Sequence, residues 1–488
     1  MYSTFHGLEI GKRAILSQQT SLSATGHNIA NANTKGYTRQ EAVLEATRPL
    51  ASPNPHNGTI PMQMGTGVEV SEFRRIRESY LDSQFQNQQQ QAGYWEAKAE
   101  SLSHLEDVFN ELSGSGLSTS LNKFWQGLQE LSKQPESLSA RVVVIANGKE
   151  VADQLNQISS GIADYEKNLA DQLQANAKEI NMAASEIASL NQQIAQNIGS
   201  GQQPNDLLDR RDNLLDQLSK LVNIDVKPTV NGRVDVSISG VKLVDGNTAN
   251  TFTVEPEDGG AKIAGTVLQL DGGKIKGLLE TYGYKLADGT VLGRIPELKT
   301  NLDILAVAIA ERMNAIHASN EARNLDDIQA RSTDPNAPLE KLLFFVDKDD
   351  PTQPPKNAGN MIVNPKLINF PAKLAAATSD NIGDGSNAAL MSDAFLQKTD
   401  IGGTNTTIGE FYQKVIGQLG TDVQAAKQLS DNANAMVSMV DNQRQSVSGV
   451  SIDEEMTNMI RYQQAYNAAA RYVSAVNDLL NTLINGMK

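Results

Sequence analysis

The sequence predicts a mainly α protein with an inserted β domain: an elongated multi-domain rod whose long helices from both termini pack together. Three observations predict it. Apolar residues recur at helical spacing over most of the 488 residues, and heptad lines occupy both ends. Between Asn223 and Leu270 the period changes to two. The helical pattern then resumes and lasts to the C-terminal region, so the β stretch is an insertion and the two ends are free to meet.

Residues 1–40 are expected to form an N-terminal assembly helix. Leu8, Ile15, Leu22 and Ile29 recur every seven residues and hold one apolar line on one side of it. The line is thin, because the neighbouring seam positions Gly11, Gln18 and Thr25 are small or polar. Asn28, Asn31 and Asn33, then Thr34-Lys35-Gly36-Tyr37, should end the helix near Asn33–Gly36. Asn competes for backbone hydrogen bonds, and Gly accepts the left-handed stop conformation.

Residues 41–223 read as the N-terminal part of a helical rod domain. Glu41 to Val70 carries Pro49, Pro53, Pro55, Pro61 and the turn pair Asn57-Gly58, which predicts extended segments and loops. Helices are expected over Ser71–Leu112, Leu117–Lys133, Glu136–Ile198 and from Pro204 onward. The breaks between them are Ser113-Gly114-Ser115-Gly116, Gln134-Pro135 and Gly199-Ser200-Gly201. The longest has a three/four stripe from Val151 to Ile194 with no proline; Gly148 and Gly161 are its weak points.

Residues 224–272 read as the first segment of an inserted β domain, the outer β domain of the family resemblance given below. Ile224–Val226 and Val234–Ile238 alternate, with Asn231-Gly232 and Asp245-Gly246 as turns. Residues 273–323 return to helix at Ile275–Thr281 and Ile295–Ser319. Residues 324–382 are a loop-rich second β segment, with strands at Leu342–Val346 and Met361–Val363 and too much proline for a central strand. From Ala388 the chain is helical again, and 383–449 complete the rod domain with a long helix from Ile408 to Arg444. Residues 450–488 are the C-terminal assembly helix. Ser451 and Glu454 form a capping box, and Asp453, Glu454 and Glu455 suit the positive end of the dipole. Ile452, Met459, Tyr466, Val473 and Leu480 form one heptad line; Met456, Ala470 and Ile484 add a second.

A net charge of −15 and a pI of about 4.9 argue against a general binder of nucleic acid or anionic membrane. The absence of cysteine removes thiol chemistry, disulfides and the usual structural zinc sites. No secretory signal is visible, and no stretch approaches a membrane span. The histidines are isolated, and neither an HExxH pair nor a phosphate loop occurs. Asp347, Asp349 and Asp350 lack the Gly and Glu of an EF-hand and read as solvated loop acids. Asp206, Asp209 and Asp212 stand a turn apart beside Arg210 and Arg211 and read as surface ion pairs; Arg74, Arg75 and Arg77 read as an exposed helix start. The glutamine-rich run 84–91 reads as a solvated helix face. No catalytic, cofactor-binding or metal residue is assigned.

Asn28 to Gln40, NIANANTKGYTRQ, resembles the N-terminal signature of axial proteins of the bacterial flagellum. Tyr37-Thr38-Arg39-Gln40, the stretch from Ser448 to Met456, and Arg461-Tyr462-Gln463-Gln464-Ala465-Tyr466 resemble the family of flagellar hook-associated protein 1, the FlgK family. The resemblance implies a structural subunit of the hook–filament junction, not an enzyme, without cofactor, outside the cell in the flagellum. It also implies type III export without a cleaved signal peptide. Implied partners are further copies of itself, the hook protein, the second hook-associated junction protein, and an export chaperone at the C-terminal helix; nucleic acid and membrane are not among them. The assembly interface is expected at the two heptad sets, with the motif residues Asn28, Asn31, Asn33, Gly36, Tyr37, Arg39, Arg461 and Tyr462 beside them. The sparse N-terminal line predicts that both ends fold only on coiled-coil-like assembly. Two alternatives stand: another axial subunit, whether hook, rod or second junction protein, or a secreted enzyme or adhesin with flagellar-type termini.

Overall fold

A computed structural model describes residues 5–49, 65–109, 116–286 and 288–486. The chain opens with α1 (His6–Ala30), β1 (Gln40–Ala46), β2 (Val68–Arg75), α2 (Ser79–Phe109), α3 (Leu117–Lys133), α4 (Leu138–Gly199) and α5 (Asn205–Leu221). Short strands follow: β3 (Asp225–Pro228), β4 (Val234–Ile238), β5 (Val241–Asp245), β6 (Thr248–Ala249), β7 (Phe252–Glu255), β8 (Gly260–Ile263) and β9 (Thr266–Val267). Then come α6 (Lys274–Tyr282), β10 (Tyr284–Lys285), β11 (Val291–Leu292), α7 (Arg294–His317), α8 (Leu325–Thr333), β12 (Phe345–Asp347), β13 (Met361–Val363), α9 (Pro365–Asn369) and α10 (Ser386–Leu396). The chain closes with β14 (Thr399–Ile401), β15 (Thr404–Thr406), α11 (Ile408–Ser448) and α12 (Ile452–Gly486). The protein is mainly α with small sheets in its middle, and the two terminal helices pack together.

Two compact units divide the chain, one formed by 1–92, 179–252 and 433–488, the other by 93–178 and 253–432. In the first, β3 to β6 form an antiparallel sheet in sequence order. It is seated on α4 by one fully buried side chain, Asn191. The Asn191 amide donates to the carbonyls of Val234 (2.8 Å) and Gly246 (2.7 Å) and accepts from Val234 N–H (3.2 Å), as a neighbouring strand would. Asn181, nearly three turns earlier on α4, treats Phe252 the same way, at 2.8 Å in both directions. The Asn231-Gly232 turn forms with both residues at positive φ, as expected from its chemistry.

From Thr253 onward the second unit holds the β7–β8–β9 sheet, and with it the hairpins β10–β11, β12–β13 and β14–β15. Its core contains a Phe124, Phe344, Phe345, Phe395 cluster with ring centroids 5.5–5.9 Å from Phe124. Gly148 and Gly161 are packing requirements rather than weak points: an added Cβ would lie 2.8 Å from the Phe344 ring and 2.8 Å from Val108. Asn314 on α7 repeats the asparagine device. It accepts from the N–H groups of Phe344 (2.7 Å) and Phe345 (2.9 Å) and donates to the Phe345 carbonyl (2.7 Å).

His317, at the end of α7, is buried, with Nδ1 2.6 Å from the Leu342 carbonyl and Nε2 accepting from Ala375 N–H at 3.0 Å. Burial pushes its pKa down to about 4; the nearby Arg141 charge adds to this and the Leu342 carbonyl opposes it. Between that value and the unfolded value of 6.5, the unfolded chain binds more protons. The stabilising contribution is therefore complete above about pH 6.5 and is lost as pH falls toward 4, on the order of 3 kcal/mol in all. Denaturant unfolding at pH 7, 5.5 and 4.5 should show this loss, and H317Q should remove that part of the pH dependence.

Several expectations are corrected. The helix predicted from Ser71 begins at Ser79, because Val68–Arg75 pairs antiparallel with Gln40–Ala46, so Arg74 and Arg75 lie on a strand and Arg77 in the connection rather than at an exposed helix start. Helix does not run unbroken from Ala388: the β14–β15 hairpin interrupts it, turning at Gly402-Gly403. The loop-rich stretch contains α8, capped by Asn324 and Asp327 reciprocally. Asp347 is buried and accepts from Asp349 N–H, so it is a turn former and not a solvated acid. The Gln84–Gln91 run is largely half-buried. Pro53, Pro55, Pro61, Asn57-Gly58 and Ser113–Ser115 lie outside the described residues.

Candidate assembly interface

α1 stops at Ala30, and the chain turns through 31–36 with Gly36 at φ 81° against Asn213. Asn31 donates back to the His27 carbonyl at 3.0 Å and receives Thr34 Oγ1, while Asn33 is exposed in the turn. Asn28 is 1 % exposed and is the centre of the motif. Its side chain accepts from Gln40 N–H (3.0 Å) and donates to the Gln40 carbonyl (2.8 Å), so it holds β1 to the last turn of α1. Tyr37 Oη donates to Asn28 Oδ1 at 2.8 Å and lies 3.0 Å from His27 Nδ1. Burial, with Asp206, Asp209 and Glu455 nearby, holds the Tyr37 phenol well above its ordinary pKa.

The motif loop is gripped from two sides. From α5, Asp209 accepts from Thr38 N–H at 3.0 Å and, with Asp212, takes Arg75 at 2.7 and 2.8 Å. Asp206 receives Gln40 Nε2 at 3.2 Å. Arg77 bridges Asp82 (2.7 Å) and Asp212 (3.5 Å). Its burial opposes the charge, yet these carboxylates raise its pKa above the usual guanidinium value. The aspartates serve the loop more than the neighbouring arginines: Arg210 pairs with Glu186, and Arg211, buried against Asn191 and the Gly232 carbonyl, meets only Asp212, at 4.0 Å and away from the surface. From the other side, Arg39 reaches Glu454 (2.7 Å) and Glu455 (2.8 Å) at the start of α12. Glu455 is 2 % exposed and also accepts from Asn28 Nδ2 at 3.1 Å. The capping box is half made: Glu454 N–H meets Ser451 Oγ at 3.5 Å, but the Glu454 carboxylate goes to Arg39.

Along the terminal helices the heptad lines are not the buried seam. On α1 the buried residues are Gly11, Ser17, Ser21, Thr25 and Asn28, while Leu8, Ile15, Leu22 and Ile29 are half-buried. Small residues let neighbouring backbones approach: Ser17 Oγ donates to the Val68 carbonyl, and Gly11 faces Val473 and Tyr472. On α12, Met459, Val473 and Leu480 are half-buried, whereas Ile452, Met456, Tyr466 and Ile484 are exposed. Tyr462 is half-buried with the exposed Arg461 guanidinium 5.0 Å from its ring centroid. Glu455, Asp209 and Arg75 escaped sequence reasoning, since each has a local role that accounts for its charge.

A Cβ on Gly11 would sit 2.4 Å from a Val473 methyl. Helix propensity alone favours a larger residue by up to about 1 kcal/mol, but G11V must push α1 from α12. Faster hydrogen exchange in both helices is the expected result.

Among the described residues no group of three or more His, Asp or Glu side chains is placed to hold a metal, and no helix is long and apolar enough to cross a membrane. A motif loop clamped between helices, and a terminal helix pair with large apolar residues exposed, are the architecture of a structural subunit. Comparison with known proteins narrows this. The model of the flagellar hook-associated protein FlgK helical domain matches residues 102–325, and that of the flagellar basal body rod FlgEFG protein C-terminal region matches 446–486. Flagellar hook-associated protein 1 of Bacillus subtilis is 37 % identical, covering 100 % of this chain and 99 % of its own length. The Escherichia coli protein of the same name is 27 % identical over 96 % of this chain and 97 % of its own. The solved flagellar hook junction protein FlgK from Burkholderia pseudomallei shares the fold, with a TM-score of 0.59 and 17 % identity over 75 % of this chain and 100 % of that one. The chain belongs to the flagellar hook-associated protein 1 family, and so to the structural proteins of the bacterial flagellum.

Proposed function

We propose that the chain is a structural subunit of the junction between hook and filament, and that the α1–α12 pair is the part that joins it to its neighbours. The observation that carries this is the outward apolar surface of α12: Met456, Ile460, Leu479, Leu483 and Ile484 are each more than half exposed. Burying such side chains contributes roughly 1.5–3 kcal/mol apiece. Further copies of the chain, hook protein below and the second hook-associated protein above would cover them. Export proceeds through the type III apparatus without a cleaved signal peptide, and an export chaperone covers α12 until then. Before assembly the thin α1–α12 seam leaves both ends open to protease, and they become resistant in the junction.

The test is electron microscopy of source cells lacking the gene, with flagellin assayed in the medium. Bare hooks and secreted flagellin are expected. Missing hooks would move the chain down to the rod or hook, and normal filaments would remove the junction role.

A further inference from the structure

α11 ends at Ser448 and α12 begins at Ile452, and one residue of the motif loop holds both sides of that corner. The backbone N–H of Arg39 donates to the Ser448 carbonyl at 3.0 Å, closing the last turn of α11. Its guanidinium donates to Glu454 and Glu455 in the first turn of α12. The second oxygen of Glu455 takes Asn28, on the last turn of α1. Gly449 tightens the corner, for a Cβ there would lie 2.4 Å from the Gln445 carbonyl oxygen. A carboxylate buried this deeply is costly unless its charged partner and hydrogen bonds stay in place, so the site tolerates little rotation. The seam beyond it is closed by the small buried residues Gly11, Ser17, Ser21 and Thr25, which hold the helices close but offer no ion pair to fix their direction.

We propose that Glu455 is a positioning residue: with Arg39 and Asn28 it locks the corner between α11 and α12. The locked direction of the α1–α12 pair is what allows a subunit to add to a hook end. This rests on the junction reading above. Glu454 is a bystander, because its side chain is 62 % exposed and its pair with Arg39 is screened by solvent.

The experiment adds purified full-length chain to hooks isolated from cells lacking the gene and counts capped ends by electron microscopy. E455Q keeps the size of the side chain and an acceptor for Asn28 but loses the charge. Capping should fall at least tenfold for E455Q and for R39Q. R39K, which keeps a positive charge opposite Glu455, should recover at least threefold over R39Q, and E454Q should stay within twofold of the unsubstituted chain. Stability is separated from positioning by lowering the temperature until α12 of E455Q is as protected from hydrogen exchange as in the unsubstituted chain. The capping deficit should persist there. Capping by E455Q at the unsubstituted level, or a deficit that vanishes at matched protection, would overturn the lock. Failure of the unsubstituted chain to cap would remove the junction reading itself, and the lock's role with it.

Discussion

N314A should cost the unit built from 93–178 and 253–432 about 3–5 kcal/mol. The substitution leaves two backbone N–H groups, of Phe344 and Phe345, and the Phe345 carbonyl without their partner in a place that water does not reach. Each unsatisfied buried group costs about 1–3 kcal/mol, and partial relaxation keeps the total below the simple sum. N314D keeps the acceptor and loses the donor, so its loss should include a buried charge as well. Denaturant unfolding, with hydrogen exchange read at 342–347, measures both. A loss below about 1 kcal/mol for N314A would mean that these strands do not depend on the helix for their seat.

R75A should have the next largest effect, about 3–5 kcal/mol in the unit that carries the termini. Arg75 is the shared partner of Asp209 and Asp212, whose side chains are only 8 % and 14 % exposed. Removing it leaves two close carboxylates facing each other, with Arg77 3.5 Å from one of them. The same carboxylate of Asp209 holds Thr38 N–H, so the motif loop should loosen together with α5. Exchange at residues 37–40 is the specific readout. The double variant R75A/D209A should recover part of the stability but not the loop protection, since its anchor is then gone.

The parts of the fold that could be read from the chain are those with long, local signals. α3 was expected at Leu117–Lys133 and occupies those residues; α4 was expected at Glu136–Ile198 and spans Leu138–Gly199. Many helical turns and a Gly or Pro stop specify such elements without reference to anything distant. β10–β11, β14–β15 and α8 are shorter than the window over which a period can be recognised; β2 shows its alternation at Val68 and Val70, and continues as a strand to Arg75 because β1 is there to pair with it. In the site, residue chemistry makes a helix end legible, but it places it near Asn33–Gly36, whereas α1 already stops at Ala30. The partner of Asn28, Glu455, was not legible, because 427 residues separate the two and the helix dipole already gave its charge a local purpose. The heptad lines misdirected in an instructive way. Period finds the apolar face, but at Gly11, Ser17 and Thr25 the close contact belongs to the small residues beside it.

Asn191, Asn181 and Asn314 share a property with a consequence for how the middle of the chain can change. Each reads the main-chain N–H and C=O of the strand it holds and takes no part of its identity from that strand's side chains. The helices therefore present sockets that fix the register of the held segment, while its buried side chains, such as Phe252 and Phe345, still have to fit the core. Substitutions at exposed strand positions that preserve backbone course leave the attachment intact, so the sheets can vary there while the helices stay the same. Loop grafts placed at the Ser239-Gly240 or Ala264-Gly265 turns, both at positive φ, exploit the same freedom. The asparagines constrain drift together with the buried residues of the strands they hold.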